Sequence, residues 1–183
     1  TATRLLTIVA NKRGAEYAVE YDNITYLGFP FSISQTFQKR NTNSSIEESF
    51  ERVGVIKKLC DRHQKKLVIY ISMAFGNPYD EEWHPDIPTY WCDRLHDELG
   101  IDIFALSDTI GVSNKSSITK MFSTIIPEFE GKATIGAHLH TTPDSWREKV
   151  DAAYKAGCHR FDGAIKGFGG CPMAKDDLTG NMP

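Results

Sequence analysis

The chain is 183 residues long, 40% hydrophobic and 25% charged, with a formal net charge of −3. A slightly acidic balance with no basic tract excludes a nucleic-acid-binding stripe, and no apolar run is long enough to cross a bilayer. The N-terminal TATRLLTIVANKRG carries neither the apolar h-region nor the small-residue cleavage site of a signal peptide.

Leu5–Val9 is the first of six short, nearly continuous apolar runs. Such runs read as strands buried on both faces. Lys12–Tyr21 follows as a weak helix, then Ile24–Phe29 as the second strand, then the polar segment SISQTFQKRN. Ser45-Ile46-Glu47-Glu48 fits a capping box, in which the serine oxygen accepts the Glu48 amide and Glu48 reaches back. Behind it, Ile46, Phe50, Val53, Ile56 and Cys60 recur at helical spacing. Leu67–Ile71 is the third strand and leads into SMAFGNPYD. Tyr90, Trp91, Leu95 and Leu99 form the next helical stripe, with Gly100 as its C-cap. Ile101–Leu106 is the fourth strand, followed by SDTIGVSN. Ile118, Met121, Phe122, Ile125 and Ile126 form a helix that Pro127 is expected to stop. Thr134–His138 is the fifth strand, followed by HTTPD. Trp146, Val150, Ala153 and Tyr154 define the last helix, ended by Gly157. His159–Ala164 is the sixth strand and opens into KGFGGCPMAKDDLTGN.

Alternating strands and helices call for parallel βαβ units in one domain over residues 1–183. Six strands fit either a doubly wound sheet or part of an eight-stranded barrel. The polar and glycine-rich segments follow strand after strand, which favours an α/β fold of the TIM (β/α)8 type, with ligands at the C-terminal strand ends. Cys60, Cys92, Cys158 and Cys171 form no CxxC pair, so no zinc knuckle is expected and a reducing compartment is. The first three read as packing residues. His63, His84 and His96 read as solvated, and Lys57, Lys58, Lys65 and Lys66 as a helix face and its exit.

Four segments carry chemistry. In His138-Leu139-His140 the two imidazoles lie two residues apart at a strand end, on one face, and can reach one ion. The bland alternative is a pair of loop histidines. Gly167-Phe168-Gly169-Gly170-Cys171-Pro172 permits close backbone approach around a thiol suited to acid or base work, or is only a tight turn. It lacks the GxGxxG spacing of a dinucleotide site. Asn181, ten residues beyond Cys171, offers an amide oxygen suited to a hard cation. Ser107-Asp108-Thr109-Ile110-Gly111 places a carboxylate and a hydroxyl after a strand, where an Asx turn is the bland reading. Tyr70 sits in a strand, and its hydroxyl needs a partner if buried.

The segments NTNSSIEESFERV, YISMAFGNPY, LSDTIGVSN, HLH and GFGGCP together resemble the 3-hydroxy-3-methylglutaryl-CoA (HMG-CoA) lyases. These belong to a divalent-metal barrel family that includes the isopropylmalate synthases. The glycine-cysteine loop is the lyase signature, and the condensing synthases typically lack it. The resemblance implies His138, His140 and Asn181 as ligands of Mg²⁺ or Mn²⁺, and His138 beside the reacting hydroxyl. It implies Cys171 as the catalytic cysteine, Asp108 as support for proton transfer, and Thr109 in the active site. Asn41 and Tyr70 would line the acyl pocket, with Gly169 and Gly170 at the substrate. It further implies an acyl-CoA substrate, no nucleic-acid or membrane partner, and a possible homodimer. The location would be the cytoplasm in a bacterium, or the mitochondrial matrix in a eukaryote. Against the family pattern, the first two strands, with a ligand Asp and an active-site Glu, and the last helix are expected to be missing. A chain so reduced is expected to turn over weakly on its own. Thr141 follows the second histidine where many relatives carry Asp, and the Cys171–Asn181 interval is one residue longer than usual. A condensing synthase and a non-catalytic barrel piece are the alternatives.

Overall fold

The computed structural model describes residues 3–170 and 180–183. Its elements are β1 (Leu5–Ile8), α1 (Lys12–Val19), β2 (Ile24–Ser32), α2 (Gln35–Thr42), α3 (Ile46–Arg62), β3 (Lys66–Ser72) and α4 (Asp86–Leu99). There follow β4 (Ile103–Ser107), α5 (Lys115–Phe129), β5 (Thr134–His138), β6 (His140–Thr141), α6 (Trp146–Lys155), β7 (Arg160–Asp162) and β8 (Gly180–Asn181). A 3₁₀ turn spans Ile165–Gly167.

Six strands form one sheet in the order β1-β2-β3-β4-β5-β7, and every neighbouring pair is parallel. A doubly wound sheet would reverse this order at a switch point. Here each strand lies beside its neighbour in sequence, so the chain winds one way, as a barrel wall does. The sheet is a curled half-barrel matching part of a TIM barrel. The remaining two strands, β6 and β8, form a separate antiparallel ribbon in which His140 faces Asn181.

Alternation along the strands separates the two faces. Leu27, Phe29 and Phe31 of β2, Leu67, Ile69 and Ile71 of β3, and Phe104 and Leu106 of β4 are buried in the main core. They share that core with Phe50, Val53, Ile56 and Cys60 of α3 and Ile118, Met121, Phe122 and Ile125 of α5. Each such fully buried side chain stabilises by about 1.5–3 kcal/mol relative to exposure. The intervening positions, among them Ile8, Pro30, Tyr70, Ser72, Ser107 and His138, line a cavity on the other face.

The capping box forms: the Ser45 hydroxyl accepts the Glu48 amide at 3.1 Å, and Glu48 accepts the Ser45 amide at 2.6 Å. Gly100 caps α4 with φ 67°. Three expectations need correction. SISQTFQKRN is not a plain loop, because Ser34 accepts the Phe37 amide and starts α2. Pro127 does not stop α5, which continues to Phe129. Pro127, two residues before the end, gives up its own bond to the Ser123 carbonyl, and the turn beyond it buries Phe129 to 1% exposure. In α6, Trp146 and Tyr154 are exposed, whereas Ala153 is buried and Val150 partly buried as expected, and Lys149 and Ala152 complete the buried face. Cys60, Cys92 and Cys158 are buried free thiols, as packing residues should be. Burial pushes Cys60 and Cys158 up to about 11, so neither is a thiolate at neutral pH. Among the described residues no helix is long and apolar enough to cross a membrane.

Candidate active site

The C-terminal strand ends open onto a cavity of about 600 Å³ lined in part by Tyr70, Thr109, His138, His140, Asp162, Gly170 and Asn181. His138 closes β5, and the β5–β7 register sets it opposite Asp162. Its Nδ1 lies 3.6 Å from Asp162 Oδ2, too far for a formed hydrogen bond. Arg160 grips the other oxygen of that carboxylate at 3.0 Å. Burial alone would raise the Asp162 carboxyl, but His138 and the Arg160 charge outweigh it and hold the group below the ordinary carboxylate range. The edge of the Tyr70 ring meets His138 with centroids 5.3 Å apart. Burial, aided by the Asp162 charge, pushes the Tyr70 hydroxyl up to about 12, so it stays protonated.

His140 begins the ribbon and is 4% exposed. Its Nδ1 lies 2.9 Å from the Thr109 carbonyl. A carbonyl only accepts, so the proton sits on Nδ1 and the Nε2 lone pair is free. Burial first, and then the neighbouring His138, lower its pKa and favour the neutral ring. The two imidazole centroids are 5.5 Å apart. Asn181 pairs with His140 across the ribbon, and its Nδ2 donates to the Phe168 carbonyl at 2.9 Å. That leaves the Asn181 Oδ1 as an acceptor. Gly169 backs the same amide so closely that a Cβ there would sit 2.9 Å from Nδ2.

A family model described as HMGL-like matches residues 1–183. The chain belongs to the HMGL-like family. It is 30% identical over 175 residues to a 3-hydroxy-3-isohexenylglutaryl-CoA/hydroxy-methylglutaryl-CoA lyase of Pseudomonas aeruginosa, covering 96% of this chain and 57% of that protein. The crystal structure of hydroxymethylglutaryl-CoA lyase from P. aeruginosa superposes with a TM-score of 0.85 at 29% identity, over 98% of this chain and 58% of that one. An HMG-CoA lyase from Acinetobacter baumannii, solved in complex with coenzyme A and 3-methylmalate, superposes at 0.84 with 26% identity, over 97% of this chain and 56% of that one. The chain thus spans somewhat more than half the length of these relatives.

Within this HMGL-like chain, the structure gathers His138, His140, Asn181, Tyr70, Thr109 and Gly170 around one cavity. Gly169 supports Asn181 from behind. Asn41 stands exposed on α2, away from the cavity lining. Cys171 lies outside the described residues. Asp108 is 1% exposed and does not line the cavity. Its carboxylate accepts the Ser113 amide at 3.1 and 3.3 Å, the Ser113 hydroxyl, and the Lys149 ammonium at 2.8 Å. Thr109 serves twice, through its carbonyl to His140 and through Oγ1, which accepts the Met73 amide at 2.8 Å. Sequence reading missed Asp162, Arg160 and Lys149. For Asp162 the only signal available was its place at the end of the sixth strand.

The donor set suits a divalent cation. His140 offers its Nε2 lone pair and Asn181 its Oδ1, and His138 lines the same cavity. Among the described residues no group of three His, Cys, Asp or Glu side chains is placed to hold a metal ion, and Asn181 adds an amide oxygen beside the two histidines.

Proposed function

We propose that this chain is the metal- and substrate-binding part of a lyase that cleaves 3-hydroxy-3-methylglutaryl-CoA to acetoacetate and acetyl-CoA. The observation that carries the reading is the shared cavity of His138, His140 and Asn181, with the His140 and Asn181 side chains each oriented by a backbone carbonyl. The coenzyme A bound to the A. baumannii relative supports an acyl-CoA as the substrate class. Mg²⁺ or Mn²⁺ held by His138, His140 and Asn181 would lower the pKa of the substrate hydroxyl and anchor its oxygen.

The reaction breaks the bond between the hydroxyl-bearing carbon and the methylene next to the thioester. The hydroxyl loses its proton and becomes the ketone of acetoacetate. The bond's electron pair passes to the methylene as a thioester enolate, which takes up a proton to give acetyl-CoA. We assign the hydroxyl to the side of the cavity formed by His138 and Asp162. Tyr70 walls the acyl group there with its protonated hydroxyl. Thr109 and the backbone at Gly169 and Gly170 fix the opposite rim. Cys171 supplies the enolate proton. Asp108 acts from beneath the site through Lys149 and Ser113, without touching substrate.

The test is to incubate the full-length protein with HMG-CoA and Mg²⁺ or Mn²⁺ and follow acetyl-CoA. We expect release that EDTA abolishes and that His140→Ala and Cys171→Ala reduce by at least two orders of magnitude. No acetyl-CoA with either ion would overturn the reading. A product formed only from acetyl-CoA and a 2-oxo acid would reassign it to condensation.

A further inference from the structure

We propose that Lys149 is a positioning residue that sets the tautomer and direction of the His140 ring; the inference rests on the metal-site reading above. A buried ammonium is costly unless its donors are used. Lys149 is 6% exposed, and its three N–H groups meet three acceptors: Asp108 Oδ2 at 2.8 Å, the His140 carbonyl at 2.8 Å and the Gly111 carbonyl at 3.2 Å. No donor remains for a substrate, so this lysine neither binds one nor reacts with one.

The acceptors lie on two separate segments. Asp108 and Gly111 belong to the turn after β4, and they flank Thr109. His140 opens β6. The same two segments meet in the bond between His140 Nδ1 and the Thr109 carbonyl. Lys149 therefore grips both sides of that bond from behind. His140 also pairs with Asn181, so the clamp fixes the ribbon that carries two of the three candidate ligands. An apolar side chain would fill the same volume without tying the two segments to each other. The ion pair with Asp108 holds the ammonium in place, and the two carbonyls are what it positions.

The test uses the full-length protein at pH 8 with two variants. Lys149→Met with Asp108→Asn removes both charges, so no lone charge stays buried. Lys149→Arg keeps the ion pair but moves the donors, and it serves if the double variant does not fold. The first readout is ¹⁵N-histidine NMR without metal. The parent is expected to show His140 as a single Nδ1–H tautomer, and the variants a mixture. The second readout is Mn²⁺ titration, in which the Kd is expected to rise about 10–100-fold, the usual effect of losing a group that orients a ligand. A folded variant that keeps the parent tautomer overturns the proposal. So does an Mn²⁺ Kd raised less than tenfold in a variant of a parent that binds Mn²⁺. If the parent binds no Mn²⁺, the metal-site reading fails, and the tautomer alone decides the role of Lys149.

Discussion

Replacing Asp108 by asparagine preserves the side chain's shape and removes its charge. The native carboxylate is 1% exposed and presents only acceptors to its surroundings. Ser113 donates its amide to both oxygens, and Lys149 donates to Oδ2 at 2.8 Å. Whichever oxygen becomes an NH₂ then faces a donor. The lost charge-assisted bond is worth about 1.5–3 kcal/mol. The larger consequence is an ammonium left buried without its counter-charge. Removing one partner of a buried pair costs about 3–5 kcal/mol in all, a figure that includes the lost bond. We expect Asp108→Asn to lower the unfolding free energy by that amount in urea denaturation, with the slope unchanged. A solvent-facing catalytic carboxylate predicts the opposite pattern: activity lost, stability altered by less than about 0.5 kcal/mol. A loss of stability below about 1 kcal/mol would refute the placement of Asp108 as a buried support.

The neutral, buried His140 makes stability depend on pH. Its pKa is depressed below the ordinary 6.5 by burial and by His138, so the unfolded chain binds the proton more readily and folding is opposed as the ring charges. Its contribution should be complete above about 6.5 and fall away as the pH drops, and His140→Gln should flatten metal-free denaturation midpoints between pH 7 and 5. Ser45→Ala removes the acceptor for the Glu48 amide and should cost about 1 kcal/mol by thermal or urea unfolding. Gly28→Ala would place a Cβ 2.5 Å from Ile8 Cδ1 and 2.8 Å from Tyr70 Cε2. It should destabilise by about 1–3 kcal/mol and, by moving the ring that edges His138, weaken acyl-CoA binding in a calorimetric titration; unchanged values on both counts would remove Tyr70 from the cavity wall.

The barrel wall was legible because strands buried on both faces read as apolar runs, and the runs and helical stripes alternate. The choice of a barrel over a doubly wound sheet came from loop loading, and the strand order bears it out. The paired histidines were legible because their spacing of two is itself a statement of geometry. Helix α2 escaped notice because Phe37 and Gln38 are its only buried residues. An apolar stripe that short does not stand out from a polar loop. Lys149 escaped because its partner, Asp108, is 41 positions away. A lysine on a helix reads as solvated until the carboxylate beneath it is known. Asp162 reaches His138 only through the β5–β7 register, which no local pattern encodes.

These long-range partners decide what the cavity can hold. His140 spends its Nδ1 proton on the Thr109 carbonyl, and Asn181 spends its NH₂ on the Phe168 carbonyl. His138 turns Nδ1 toward Asp162. His140 and Asn181 thereby commit their donors to the protein and keep a lone pair each for the cavity. Lys149, buried behind His140, has turned its donors to Asp108, His140 and Gly111. This cluster of acceptors repels an anionic thioester enolate or carboxylate, although the Tyr70 hydroxyl on the same wall remains a donor. It accepts one once a cation sits among the lone pairs. The same hydrogen bonds that fix the tautomers therefore make the site's electrostatics depend on a divalent ion, and the cheapest check is whether Mn²⁺ strengthens acyl-CoA binding in the parent and fails to do so in His140→Ala.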